Sequence, residues 1–188
     1  HPLLLTDALP VARPNGCGAA IAGTFRALYG QGEDIAQSDP NTQHVESALT
    51  SLDCLIVQDI FLNETAKYAH VLLPGSTFLE KNGTFTNAER RINRVRKVMA
   101  PVAGKEDWEV TQELANALGY PMNYRHPSEI MDEIAQLTPT FTGVSYAKMD
   151  ELGSIQWPCN EAHPNGTPTR HEVDFPIGKG HFAITDYV

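Results

Sequence analysis

Polar side chains follow two apolar runs, at positions where a ligand can be bound. Gln58 and Asp59 come directly after the apolar residues 55–57, and a Pro-Gly-Ser-Thr sequence at 74–77 follows the apolar residues 71–73. In open parallel sheets, ligands bind just beyond the carboxyl ends of the strands. If both runs are strands, we expect these polar groups to meet at one edge of a sheet and to form a site there.

A second group of candidates surrounds a Gly-x-Gly sequence formed by Gly30 and Gly32. It follows a predicted strand and precedes a predicted helix, so its backbone N–H groups can face a phosphate. The third glycine of the dinucleotide fingerprint is missing, which favours an ordinary tight turn. Asp34 can accept hydrogen bonds from a sugar or a base amino group, or it can be a solvated carboxylate in that turn. The residues alone leave both interpretations open.

The elements that would position these residues alternate between strand and helix. Residues 55–57 and 71–73 are apolar at consecutive positions, as in a parallel sheet covered on both faces. Residues 63–68 between them predict a short helix, and residues 26–29 predict an earlier strand. The order is that of an incomplete Rossmann-like parallel sheet, which predicts the α/β fold class.

The helix before residue 55 is predicted from its cap and its apolar face. Ser38 or Asp39 can cap this helix, with Pro40 in its first turn. Its inward face is predicted to consist of Val45, Ala48, Leu49 and Leu52.

The pattern changes after Thr77. Residues 83–86 and 92–98 are predicted to be extended, with a bend at 87–89 between them. Asp107 is predicted to cap a helix that runs to Leu118. The later predicted elements are a helix from Ser128 to Leu137 with Ile130, Ile134 and Leu137 inward, a helix from Tyr146 to Leu152, and a last strand at 181–187.

A basic run stands out in this acidic chain. Five of the fourteen Lys and Arg residues lie close together, at Arg90, Arg91, Arg94, Arg96 and Lys97. Five like charges repel one another unless a negative group is near. We expect acidic surface from a segment outside this chain to cover the run, in preference to the phosphates of a ligand.

Composition excludes several classes of function. The net charge of -9 argues against nucleic acid as the main partner. The three cysteines lie far apart without a Cys-x-x-Cys sequence, which argues against an iron-sulfur cluster or a zinc ion held by cysteines of this chain. No apolar run is long enough to span a bilayer, so we expect a cytoplasmic protein without a membrane span. No catalytic triad, paired-carboxylate site or metal-ligand set can be assigned, and we predict no catalytic or metal-ligating residue.

Several longer motifs, taken in order, resemble one family. They are GEDIAQSDP at 32–40, VQDIFLNETAKYAHVLLPG at 57–75, EKNGTFTNAERR at 80–91, DWE at 107–109, ALGYPMNY at 117–124 and SIQWPC at 154–159. The chain resembles the catalytic (alpha) subunit of formate dehydrogenase, in the molybdopterin oxidoreductase (DMSO reductase) family.

The resemblance implies a cofactor and its ligands. In that family, two molybdopterin guanine dinucleotides hold molybdenum or tungsten along the carboxyl ends of strands in α/β domains. Carried over by position, the residues implied in cofactor binding form two strand-end loops and one guanine contact. They are Gly32, Glu33, Asp34 and Ser38 in one loop, Gln58 and Asp59 in the next, and Asp107 at a guanine.

The resemblance also implies four regions. They are an irregular lead-in at 1–25, an α/β cofactor-binding segment at 26–78, an extended basic segment with helices at 79–154, and the start of a β-rich carboxyl-terminal domain at 155–188.

This sequence departs from the family pattern in several respects. Gly30 stands where a bulky strand residue is expected, and His70 stands where the family usually has Asp. The metal-ligating Cys or selenocysteine and the cysteine cluster for an iron-sulfur centre are not found in it.

We therefore expect a piece of a formate dehydrogenase large subunit that is inactive alone. Its expected partners are the remainder of the same subunit, electron-accepting subunits and the substrate formate. The alternatives are another molybdopterin oxidoreductase, a metal-free relative serving as a scaffold, and a non-catalytic nucleotide-binding module.

Overall fold

The computed structural model describes residues 16–172, 175 and 178–180. These residues form two compact units. The first comprises the described residues up to Lys81 together with Lys97–Met122, and the second comprises Asn82–Arg96 together with the described residues from Asn123 onward. The region boundaries inferred from the resemblance stay a prediction, and the strand predicted at 181–187 lies outside the described residues.

The first unit is built on a parallel sheet of three strands. The strands are β1 (Ala27–Gln31), β2 (Cys54–Asp59) and β3 (Val71–Pro74), and they lie side by side in that order. The helices of this unit are α1 (Gly16–Ile21), α2 (Ile35–Ser38), α3 (Thr42–Ser51), a 3₁₀ helix (Thr65–Tyr68) and α4 (Asp107–Ala117). The predicted α/β fold class and the alternation of strand and helix are confirmed.

The core of the first unit lies between the sheet and α3. The four residues predicted to face inward from this helix are all buried, at no more than 4% exposure. They pack with Leu28 of β1 and with Leu55 and Val57 of β2. Burying each such aliphatic side chain contributes about 1.5–3 kcal/mol to the stability of the fold. The packing of this helix face therefore holds in place the strands that carry the polar residues at their ends.

The predicted start of α3 is wrong. Asn41 caps the helix, since its Oδ1 accepts a hydrogen bond from the His44 N–H at 3.3 Å. Ser38 instead ends the short helix α2, whose Ile35 and Ala36 are buried. The chain therefore makes two helices where the sequence predicts one, because the apolar residues before Ser38 also reach the core.

The expectation that the sheet is covered on both faces is wrong for β3 within the described residues. Val71 is 43% exposed and Leu72 is 47% exposed, although β3 pairs with β2 in the sheet. In β2, by contrast, Leu55 and Val57 are almost fully buried.

Both departures from the family pattern are accommodated in the first unit. Gly30 lies within an unbroken β1, and a Cβ added there would meet only Ile35 Cδ1, at 4.0 Å. His70 accepts the Leu55 N–H at Nδ1 over 3.0 Å, and its own N–H donates to the Leu55 carbonyl over 2.8 Å. His70 thus joins the start of β3 to β2.

The second unit contains an antiparallel sheet and two helices. Its strands are β4 (Gly83–Thr86), β5 (Arg91–Val95) and β6 (Ser154–Gln156), in that order, and its helices are α5 (Pro127–Leu137) and α6 (Tyr146–Leu152). The predicted extended segments and the bend between them are confirmed as a hairpin, although β5 ends earlier than predicted. The bounds predicted for α6 are also confirmed.

The predicted inward face of α5 is wrong. Ile134 is 38% exposed and Leu137 is 58% exposed, whereas Met131 is buried at 5%. Met131 packs in the core of the second unit, with Ile92 and Met149 among others. The buried face of the helix is therefore centred on Met131.

Four of the five cations of the basic run pair with carboxylates of this chain, and cover by a segment outside the chain stays a prediction. Its negative partners are Asp150 for Arg94 and Arg96, Glu89 for Arg91, and Glu106 for Lys97. Arg90 instead donates to the backbone carbonyls of Trp157, Thr167 and Pro168. The sequence gives no indication of the two pairs with Asp150, because Asp150 lies more than fifty residues beyond Arg94 and Arg96.

A bilayer-spanning helix is not found in the described part of the chain, where every helix is too short or too polar.

Candidate functional site

The residues that follow β1, β2 and β3 meet at the carboxyl end of the parallel sheet, which we call the strand-end edge. Gln31 lies beside Gln58 in the register of β1 and β2, and Asp59 lies beside Pro74 in that of β2 and β3. Backbone hydrogen bonds join the loops beyond the strands. The Gly32 N–H donates to the Gln58 carbonyl at 2.9 Å, and the N–H after Pro74 donates to the Asp59 carbonyl at 2.9 Å.

Asp107 joins the start of α4 to this edge. Its Oδ1 accepts hydrogen bonds from Gln58 Nε2 at 3.1 Å and from the Ser76 N–H at 2.8 Å, and its Oδ2 pairs with the Lys81 ammonium group. Ser76 Oγ in turn accepts the Asp107 N–H at 3.1 Å. The sequence prediction that Asp107 caps the helix is wrong. Glu106 is the cap, and its side chain forms a reciprocal capping box with Glu109, which frees the Asp107 carboxylate to bind the strand ends.

Gln58 is fixed from two sides. Its Oε1 accepts a hydrogen bond from the Tyr29 hydroxyl, while its Nε2 donates to Asp107. The Tyr29 hydroxyl also lies 3.3 Å from Thr111 Oγ1, which donates to the Asp107 carbonyl at 3.0 Å. Burial raises the pKa of Tyr29. The hydrogen bond with Thr111 lowers this pKa and the nearby Asp107 charge raises it, so that the net shift is upward. Since Gln58 is only 1% exposed, it holds the edge together from inside.

Asp34 also has internal partners. Its carboxylate accepts the Thr65 N–H at 2.9 Å, the Thr65 hydroxyl at 2.7 Å and Gln37 Nε2 at 2.6 Å. Desolvation raises the pKa of Asp34, but the hydrogen bonds from Thr65, Gln37 and the Glu64 N–H together outweigh it and leave the pKa below its ordinary value. Asp34 therefore stays ionised and ties the loop after β1 to the 3₁₀ helix after β2.

The remaining predicted residues face outward. Gly32, Glu33 and Ser38 are exposed, and Ser38 Oγ donates to Glu33 Oε1 at 2.6 Å. Gly32 has a φ of +62°, and a Cβ added there would meet no atom within 4 Å. The backbone at this turn is therefore open to an approaching group. Asp59 is partly exposed, and its Oδ1 accepts the Ile60 N–H at 2.6 Å.

The donors and acceptors of the strand-end edge fit part of a guanine dinucleotide. Carboxylates such as Glu33 and Asp59 only accept hydrogen bonds, so they suit the hydroxyls of a ribose and the N–H groups of a guanine. A pyrophosphate offers no donors and would be repelled by them. The open turn at Gly32 allows a close approach. Gln58 and Asp34 are already bonded within the protein, so they would shape the surface that meets such a group.

Sequence reasoning found the position of the edge but missed three of its side chains. Tyr29 and Thr111 lie outside the quoted motifs. One signal for Tyr29 exists, because residues two apart on a strand share a face and Tyr29 is two residues before Gln31. Lys81 lies within the EKNGTFTNAERR motif, but the sequence analysis assigned it no role.

A parallel sheet with polar loops gathered at its carboxyl end defines the class of α/β proteins that bind their ligands at that edge. Comparison with known families narrows the class. A family model described as molybdopterin oxidoreductase matches residues 11–117, more than half of the chain. The chain belongs to the molybdopterin oxidoreductase family.

Curated relatives carry a more specific name. A Staphylococcus aureus protein named "Putative formate dehydrogenase" is 50% identical over 146 residues, which are 77% of this chain and 14% of the relative. A Staphylococcus haemolyticus protein of the same name is 48% identical over 161 residues, which are 84% of this chain and 16% of the relative. The chain thus spans about one seventh of the length of these relatives.

A solved structure supports the fold alone. Acetylene hydratase from Pelobacter acetylenicus superposes with a TM-score of 0.56 at 21% sequence identity. The match covers 74% of this chain and 20% of that one.

Proposed function

We propose that the strand-end edge of this chain binds a molybdopterin guanine dinucleotide in a formate dehydrogenase. The observation that carries this proposal is the convergence of the end of β2 and the loop after β3 on Asp107, at the start of α4. Identity near 50% to proteins named as formate dehydrogenases supports the choice of reaction.

The proposal divides the predicted cofactor-binding residues into two roles. Gly32, Glu33, Ser38 and Asp59 would contact the nucleotide, because they are exposed or partly exposed at the edge. Asp34 and Gln58 would hold the loops in place through their internal hydrogen bonds. Asp107 would do both, since its side chain is 17% exposed and its carboxylate faces the loops.

The chemistry would come from molybdenum or tungsten carried by a pair of such dinucleotides. The metal would accept two electrons as formate loses those electrons and a proton to give carbon dioxide. The residues of this chain would grip and orient the cofactor. We further propose that the electrons leave through an iron-sulfur cluster and electron-accepting subunits.

A test of this proposal uses the native protein purified with its cofactor. We expect formate to reduce an artificial electron-acceptor dye, and acid treatment to release guanine nucleotide together with molybdenum or tungsten. Release of guanine nucleotide without formate oxidation would favour another molybdopterin oxidoreductase. Absence of both nucleotide and metal would contradict the proposal and favour a scaffold role.

A further inference from the structure

Lys81 occupies an unusual place for a lysine. Its side chain is 22% exposed, and its ammonium group bonds both Asp107 Oδ2 and the Ser76 carbonyl, the latter at 3.0 Å. Ser76 and Asp107 are also joined through both of their N–H groups, at 2.8 Å and 3.1 Å. The three residues therefore form a closed set of hydrogen bonds that connects the loop after β3 to the start of α4.

The strand-end edge is otherwise acidic. Glu33, Asp34, Asp59 and Asp107 all lie in its loops or at the start of α4. An anionic dinucleotide that approaches four carboxylates is repelled unless some of their charge is compensated. The strand-end edge therefore needs a cation if it is to bind such a ligand.

The other cations of the first unit pair with different carboxylates. Within the described residues, these ion pairs are Arg26 with Asp53, Lys67 with Glu64, Lys97 with Glu106, and Lys105 with Glu113. Of these five cations, Lys81 is the one whose ion pair is with a residue of the predicted site.

We propose that Lys81 is a positioning residue for the nucleotide, a role that the sequence analysis did not assign to it. It compensates the charge of Asp107 and fixes the direction of that carboxylate, so that an anionic guanine nucleotide is bound at an acidic edge. This inference rests on the proposed function and adds which cation compensates the negative charge of the strand-end edge.

The test compares variants of the native protein purified with cofactor. Lys81→Gln keeps a side-chain donor for Asp107 and Ser76 but removes the charge, Lys81→Arg keeps the charge, and Lys105→Gln removes an exposed cation of the same unit as a matched control. Guanine nucleotide and metal per chain are measured over time during dialysis. Losing one charge-assisted interaction is expected to shorten cofactor retention about tenfold or more in Lys81→Gln. Lys81→Arg is expected to retain most of the cofactor, and Lys105→Gln is expected to retain as much as wild type.

A second readout separates charge compensation from a structural role. Hydrogen exchange of the backbone at residues 54–76 and 107–117 is expected to stay near wild type in Lys81→Gln. Unchanged cofactor retention in Lys81→Gln would overturn the inference. It would also be overturned if Lys81→Arg lost as much cofactor as Lys81→Gln and its backbone hydrogen exchange were faster than in wild type. If wild-type protein releases no guanine nucleotide at all, it is the proposed function that fails, and this inference fails with it.

Discussion

Replacing Asp107 with alanine is expected to loosen the strand-end edge by about 2–4 kcal/mol, because it leaves several donors without their acceptor. The Ser76 N–H and the Gln58 amide would lose their bonds to Oδ1, and the Lys81 ammonium would lose its partner on Oδ2. Ser76 and Gln58 are buried at 3% and 1% exposure, so water does not readily replace the lost bonds.

Hydrogen exchange of the native protein measures this effect locally, since exchange reports the free energy of opening of each segment. Protection should fall in residues 54–59 and 74–77. Glu113→Ala is the matched control, because Glu113 lies on the same helix but is 59% exposed and pairs with Lys105 at the surface. Such surface pairs contribute about 0–1 kcal/mol. Equal protection in the two variants would contradict a bridging role for Asp107.

Replacing Arg94 with alanine is expected to destabilise the second unit by about 2–4 kcal/mol. The Arg94 side chain is only 11% exposed, and its Nη1 contacts both carboxylate oxygens of Asp150 at 3.0 Å. Its guanidinium carbon also lies 3.8 Å from the centre of the Tyr146 ring, a cation-π contact. The buried Nε of Arg94 has no hydrogen-bond partner in the described structure, which offsets part of the stabilisation from these contacts.

Arg96 supplies an internal control for Arg94. It pairs with the same Asp150 carboxylate, but its side chain is 64% exposed. Arg96→Ala is therefore expected to cost less than about 1 kcal/mol. Arg94→Lys should fall between the two, because lysine keeps the charge but not the planar contact with both oxygens and the ring. Hydrogen exchange of β5 and α6 in the native protein gives the ranking. A loss in Arg96→Ala as large as in Arg94→Ala would contradict this account.

Much of the fold follows from local patterns in the sequence. The apolar runs that became β2 and β3 and the face of α3 were predictable because burial selects consecutive or helically spaced apolar residues. Helix starts were less predictable. Asn41 and Glu106 cap their helices, rather than the neighbouring candidates, because each makes a local capping hydrogen bond. The Asp107 side chain instead bonds Gln58 at the strand ends.

The position of the strand-end edge was predictable, but the contacts within it were not. The end of a parallel strand is a general place for ligands, which is why Gln58 and Asp59 could be identified from the sequence. The partners within the edge could not, because Tyr29 reaches Gln58, and Lys81 reaches Asp107, only through the tertiary fold. The same limit explains the basic run, where Asp150 is distant in sequence.

The central claim is that the strand-end edge holds the guanine nucleotide of the cofactor. The most direct measurement is an experimental structure of the native protein purified with its cofactor. We expect the nucleotide at the carboxyl ends of β1, β2 and β3, with its base or ribose within hydrogen-bonding distance of Glu33, Asp59 or Asp107. A nucleotide bound elsewhere, with none of these carboxylates within reach of it, would contradict the claim.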